Sequence, residues 1–263
     1  MSRSLVRDYR DSLRYPEFWI YATWLEIVTK YRRSRLGLFW ALMPPALYAF
    51  GVGGFFSYIQ GQNPRDFIAH LGIGYIVFRF ITVSLSEATT ACTGHASFIL
   101  DGRVRLTDYV LRVVAKAMFY LIVSLPVAAA ALAVSPQFQW MGLVTLLPAL
   151  LLVVLNVAWM GAIVAVIGAR LPDVHELIGS ILMISFLFTP ILWHADQTPA
   201  DTLRGAIARA NPLYHMVEIV RAPLLGEPIE RLTYVYLATM LVVGGLLAAW
   251  VYRRFARYVP LWV

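Results

Sequence analysis

The residues of this chain that could do chemistry fall into three groups. The first is the run Leu171-Pro172-Asp173-Val174-His175-Glu176-Leu177, which gathers two carboxylates and an imidazole. On a helix, positions three apart share a face, so Asp173 and Glu176 with His175 could hold a divalent metal. The plainer reading is a solvated connection between two apolar stretches, and no metal site is assigned. The second is Arg79, a cation inside an apolar run. A charge there costs about 2.5–3.5 kcal/mol on insertion scales, and such residues face a bundle interior or a watery cavity. Arg79 could line a watery path as a donor, or it could pack against Glu87, eight residues along. The third is the basic aromatic patch Tyr31, Arg32, Arg33 and Arg35. It suits anionic groups such as lipid headgroups.

Other chemistry is missing from the sequence. Lys30 and Lys116 are the only lysines and neither follows a glycine, so there is no phosphate-binding G-x-x-x-x-G-K-[ST] loop. H-E-x-x-H and G-x-S-x-G are absent as well. His70, His95, His194 and His215 are scattered near the ends of apolar stretches. The single cysteine, Cys92, excludes an intramolecular disulfide and a Cys-rich metal site. No catalytic constellation and no cofactor of the chain's own are expected.

The elements that must position these residues are membrane helices. The chain has 263 residues, 60% hydrophobic and 14% charged, with mean hydropathy +0.68. Soluble domains carry about 25% charged residues. A hydrocarbon core about 30 Å thick needs about 20 apolar helical residues. Six windows qualify, at 36–59, 67–92, 109–134, 140–168, 177–194 and 233–252. The fifth is short, and the second holds Arg79 and Glu87. Of the 22 Lys and Arg, 16 fall on the side of the N-terminus and 5 on the other, with Arg79 inside a span. This bias predicts that both termini are cytoplasmic. It also makes the formal charge of +7 a topology signal, and nucleic acid is not an expected partner. The first apolar stretch begins near Leu36 and runs over 20 residues, so it reads as a retained span and not a cleaved leader.

Three segments do not span. Residues 16–33 read as an amphipathic interface helix, with Ile20, Trp24, Ile27, Val28 and Tyr31 on one face and Glu26, Lys30 and Arg33 on another. Residues 94–108 form a charged inner loop. Residues 195–232 form the longest outer segment, with helical patterns around Thr202–Ala208 and Pro212–Ala222 split at Asn211-Pro212. It is too apolar for a solvated loop, so it is expected to dip back into the outer leaflet.

The run Tyr31-Arg32-Arg33-Ser34-Arg35-Leu36-Gly37-Leu38-Phe39-Trp40, followed by Met43-Pro44-Pro45, resembles the signature of one family. That family is the membrane subunit of type-2 ABC exporters of O-antigen, capsule and related polysaccharides. The resemblance continues in Arg170-Leu171-Pro172-Asp173-Val174, Leu187-Phe188-Thr189-Pro190-Ile191, Asn211-Pro212-Leu213 and the tail Arg257-Tyr258-Val259-Pro260-Leu261-Trp262-Val263, and so covers essentially the whole chain. It implies an all-α integral membrane protein forming a single transporter domain over 1–263. Six spans, the interface helix, cytoplasmic coupling helices and re-entrant outer gate helices between spans five and six would make up that domain. It implies a homodimer in the bacterial inner membrane, bound to two separate ATPase subunits that hold ATP and Mg. The cargo would be a polyprenyl-diphosphate-linked glycan moving from cytoplasm to periplasm. Residues 94–108 and 169–177 would couple to the ATPases through Asp101, Arg103, Arg105, Asp173, His175 and Glu176. Tyr31, Arg32, Arg33 and Arg35 would admit substrate. Asn211, Pro212 and Tyr214 would belong to the outer gate.

A sugar cargo calls for stacking surfaces, and aromatics are 14% of the chain. Interface anchoring accounts for Trp19, Trp24, Trp140, Trp250 and Trp262. Within spans, Trp40, Tyr48, Tyr75, Phe78, Phe186 and Phe188, together with Arg79, are the candidates to line a channel. Asn156 in the fourth window is expected to hydrogen-bond between helices. The alternatives are an exporter of teichoic acid, lipid or a drug, which the cargo retained by a null mutant would reveal, and a membrane-embedded enzyme, which a neighbouring ATPase gene would argue against.

Overall fold

The structure is a computed structural model that describes residues 4–100 and 104–263; every regular element in it is helical. The chain opens with α1 (Leu5–Arg14) and α2 (Glu17–Arg32). Then come α3 (Phe39–Gln60) and α4 (Pro64–Thr89). The short α5 (Ala96–Leu100) precedes α6 (Leu106–Val134), α7 (Gly142–Arg170) and α8 (Val174–Phe188). The pair α9 (Leu203–Ala210) and α10 (Pro212–Leu225) follows, and α11 (Arg231–Trp262) closes the chain.

Five helices, α3, α4, α6, α7 and α11, are long and apolar enough to cross a membrane. Helix α8 has 15 residues, which at 1.5 Å per residue is about 22 Å, short of a full hydrocarbon core. Large side chains such as Leu147, Leu151, Val242 and Leu246 stay exposed along α7 and α11. Bands of that kind mark surfaces covered by lipid or by another subunit.

Helix α4 is the hub. It packs against α3, α6, α7, α8 and α10, and it is the most buried of the five, although it carries Arg79 and Glu87. Close approach is built with glycine: a Cβ on Gly168 of α7 would stand 2.0 Å from the Thr89 carbonyl oxygen at the end of α4. In α3, Pro44 and Pro45 remove two backbone donors, and the helix widens into a π turn at Leu47–Val52. Gly61, at φ +64°, ends it in the left-handed conformation. Two residues later Asn63 accepts from the Arg65 amide at 3.1 Å, and Pro64 takes the first turn of α4.

The predicted amphipathic helix forms as α2, and its charged face makes contacts with α6 while Lys30 and Arg33 stay exposed. Glu26 and Lys30 reach α6 from the helix surface, Ile27 is buried, and Ile20, Trp24 and Leu25 are exposed. Successive contacts pair Thr23 with Arg112, Glu26 with Arg112 and Lys116, and Lys30 with Tyr120. Helix α2 therefore runs alongside the start of α6, with Thr23 and Ile27 buried and Ile20 and Trp24 facing outward. Residues 171–173 are all that separates α7 from α8, so the 169–177 segment is mostly helix. Asn156 does not bond between helices: it donates to Leu152 O at 2.9 Å and accepts from Trp159 Nε1 at 3.0 Å, both on α7. An apolar bundle with no facing polar partner leaves it only its own helix.

Candidate functional site: an aromatic track and a polar cavity at opposite ends of the bundle

Arg79 is not a lone charge at mid-span. Its Nη1 donates to the Ala41 carbonyl at 3.2 Å, near the start of α3, and its guanidinium lies 5.5 Å over the Tyr120 ring. Lys30 donates to the Tyr120 hydroxyl at 2.9 Å. The expected packing partner Glu87 is taken by Lys116 at 2.9 Å, because Lys116 stands on the helix that faces Glu87. Burial, and then the neighbouring Tyr120, push the Tyr31 phenol up to about 12. The end of α2, the start of α3 and the middle of α4 and α6 thus converge on two cations and two tyrosines. Beside them lies a cavity of about 700 Å³ between α2, α4 and α6, with Phe18, Leu25 and Phe98 at its apolar parts.

One helical turn along α4 from Arg79, Tyr75 stacks on Tyr48 with centroids 3.9 Å apart and planes 7° apart. Phe186 of α8 stands edge-on to Tyr48 at 6.0 Å and 5.2 Å from Phe78. The structure therefore brings together Tyr48, Tyr75, Phe78, Arg79 and Phe186. Trp40 and Phe188 are exposed and stand apart from that stack. Arg32, Arg33 and Arg35 are exposed, at the link from α2 to α3.

Of the coupling candidates, Asp101 and Arg103 lie outside the described residues. The Arg105 amide donates to the Asp108 carboxylate at 3.0 Å, which caps α6. Asp173 and Glu176 are exposed, and His175 Nδ1 is 2.8 Å from Thr89 Oγ1. That pins the start of α8 to the end of α4 and engages one ring nitrogen of the imagined metal ligand.

The opposite end of the bundle holds what the sequence reading missed. His70 and His194, which looked scattered, meet with ring centroids 3.8 Å apart. Glu227 Oε1 lies 3.0 Å from His70 Nδ1. Arg221, fully buried on α10, reaches His70 Nε2 at 3.0 Å, Glu218 at 2.5 Å, Glu227 at 3.5 Å and the Pro190 carbonyl. Among the described residues, His70, His194 and Glu227 have metal-like spacing. Their chemistry does not fit an ion. Both ring nitrogens of His70 are already engaged, Nδ1 with Glu227 and Nε2 with Arg221 and, at 3.2 Å, with the Trp193 carbonyl. A metal would have to displace these partners beside a buried cation. Burial alone would raise the Glu227 carboxyl, but the His70 hydrogen bond and the Arg221 charge outweigh it and hold it down at about 2. Burial keeps His194 below its ordinary value. The sequence signal for this cluster was Glu218 and Arg221, three apart within an otherwise apolar helix.

The outer-gate candidates have structural partners. The Asn211 side chain accepts from the Leu213 amide at 3.0 Å and donates to Thr189 Oγ1 at 2.9 Å, which locks α10 onto the end of α8. Pro212 fills the first turn. Tyr214 is 1% exposed and, with Arg209, lines a second cavity of about 720 Å³.

A sequence profile of the ABC-2 type transporter matches residues 17–225, from the start of α2 through α10. The chain is 22% identical over 220 residues to the O-antigen export system permease protein RfbA of Myxococcus xanthus, covering 83% of this chain and 84% of that one. It is 24% identical over 233 residues to the polysialic acid transport protein KpsM of Escherichia coli, covering 87% and 89%. It is 27% identical over 226 residues to nodulation protein J of Rhizobium leguminosarum bv. trifolii, covering 80% and 82%. A profile matched along most of an all-helical chain whose helices suit a membrane leaves one assignment: this chain belongs to the ABC-2 type transporter family of membrane proteins.

Proposed function

We propose that the chain is the permease subunit of an ATP-driven exporter that moves polyprenyl-diphosphate-linked polysaccharide out through the bacterial inner membrane. Two copies form the channel, and two ATPase subunits, which bind ATP and Mg, sit below α5 and the α7–α8 link. Both termini are cytoplasmic, α8 makes the sixth crossing, and α9 and α10 dip back from the outer face. The observation that carries this reading is the track from the Arg79, Lys30 and Tyr120 cluster to the stacked Tyr48 and Tyr75 and on to Phe186. Cations beside an amphipathic helix suit a diphosphate on a lipid. Flat rings give a sliding glycan contact area at little entropic cost. The similarity to proteins named for O-antigen export and polysialic acid transport supports a glycan as cargo.

The test is energetic, because the chain lacks a phosphate loop. Purified alone, it will not hydrolyse ATP. Coexpressed with the ATPase of its own gene neighbourhood, it will copurify with it, and cells lacking the chain will lose surface glycan. Robust hydrolysis by the chain alone, or unchanged surface glycan in its absence, would overturn the reading.

A further inference from the structure

We propose that the cavity at the outer end of the bundle is a sugar-binding site that selects neutral and amino sugars over acidic ones; this rests on the reading of the chain as a glycan exporter. The connections of the bundle at that end converge on the cavity: α3–α4 through Asn63, α6–α7 through Gln137, the segment after α8 through His194, and α10–α11 through Glu230. Its volume of about 720 Å³ lies within the ~300–1,000 Å³ typical of small-ligand pockets.

The lining is a hydroxyl-binding set. Carboxylates accept from paired hydroxyls, and the amides of Gln62, Asn63 and Gln137 both donate and accept. Several of these groups are held in place before any ligand arrives. Arg209 is clamped by both Glu230 oxygens at 2.9 Å and by the Thr198 carbonyl at 2.9 Å. Gln62 is held by His194 at 3.0 Å. Glu218 and Glu227 are held from beneath by Arg221.

Independent of the acidic lining, the Tyr214 hydroxyl points to a ligand. Tyr214 is 1% exposed, and its hydroxyl has no hydrogen-bond partner among the described residues, although it stands among Glu218, Glu230 and Arg209 at the cavity wall. The ring is buried while the hydroxyl borders the cavity, so its partner comes from whatever fills that space.

The charge of the cavity sets the class of sugar. Asp66, Asp196, Glu218, Glu227 and Glu230 line it, against Arg209 in the wall and Arg221 beneath, so the surroundings are net negative. A uronic or sialic acid would bring a further carboxylate into that field, where like charges are disfavoured. A hydroxyl or an ammonium group is favoured there.

The experiment uses the full chain in lipid nanodiscs free of glycoside detergent, with saturation-transfer NMR on the methyl glycosides of glucose, glucosamine and glucuronic acid. The expected result is transfer to glucose and glucosamine at least about threefold stronger than to glucuronic acid. Tyr214→Phe, which keeps the ring, should cut the signal severalfold, and Gln137→Ala, at an exposed position, should weaken it if Tyr214→Phe does not fold. Asp66→Asn with Asp196→Asn should raise the glucuronic acid signal. No transfer, equal transfer from all three sugars, or signals unmoved by both Tyr214→Phe and Gln137→Ala would overturn the proposal. Binding to the isolated chain requires no ATPase, so the two readings fail separately. Loss of surface glycan in cells lacking the chain, without sugar binding here, removes only the cavity proposal. Sugar binding without that loss removes only the exporter.

Discussion

Arg221→Leu is expected to destabilise the protein more than any other single change at a polar site. The guanidinium is fully buried and neutralises Glu218, which is 4% exposed, together with Glu227, while also satisfying His70 and the Pro190 carbonyl. Removing it leaves a buried carboxylate without its cation. Breaking a buried pair from one side typically costs about 3–5 kcal/mol. The variant should accumulate at a small fraction of the wild-type level and melt several degrees lower in detergent. Arg221→Leu with Glu218→Leu should recover much of the loss, because no uncompensated charge then remains. A melting curve for Arg221→Leu that overlays the wild type would show that the cluster holds nothing together.

The second large effect is on export. Arg79→Leu removes the hydrogen bond to Ala41 and the cation over Tyr120, yet it makes membrane insertion easier by about 2.5–3.5 kcal/mol on insertion scales. The protein should therefore accumulate normally while delivering about tenfold or more less glycan to the cell surface, a loss of roughly 1.4 kcal/mol in the transport barrier. Arg79→Lys should fall between the two, since a point charge replaces a planar fork. Tyr48→Ala and Tyr75→Ala should slow export too, as each removes half of the stack. A cysteine at position 79, with Cys92 replaced, should react with a water-soluble thiol reagent in the assembled transporter. Normal export by Arg79→Leu together with no labelling at 79 would make Arg79 a packing residue.

Much of the architecture was legible because the bilayer imposes length and hydropathy on each span. Five of the six windows became long helices. The fifth window, with 15 helical residues, ends early at Thr189-Pro190, where the residue before a proline resists the helix. Caps were legible for the same local reason: Asn211-Pro212 splits α9 from α10 as its residue types demand.

What was not legible depends on contacts far apart in sequence. Nothing local pairs His70 with Glu227, 157 residues on, or sends Glu87 to Lys116 in place of Arg79. The contacts of α2 with α6 were not legible either, because Glu26 and Lys30 find Arg112, Lys116 and Tyr120 86 to 90 residues on. Tyr48, Tyr75 and Phe186 were picked as ring-bearing span residues, and their meeting follows from how α3, α4 and α8 pack on one another.

The most direct test of the central claim places the purified chain and its ATPase in proteoliposomes with a polyprenyl-diphosphate-linked glycan. Glycan that becomes accessible to an added glycosidase on the far side of the membrane is then measured. The account predicts that accessible glycan accumulates only with both subunits and hydrolysable ATP, and that Arg79→Leu reduces it sharply. Glycan crossing without ATP or without the ATPase, or no crossing by a complex whose hydrolysis another lipid stimulates, would contradict it.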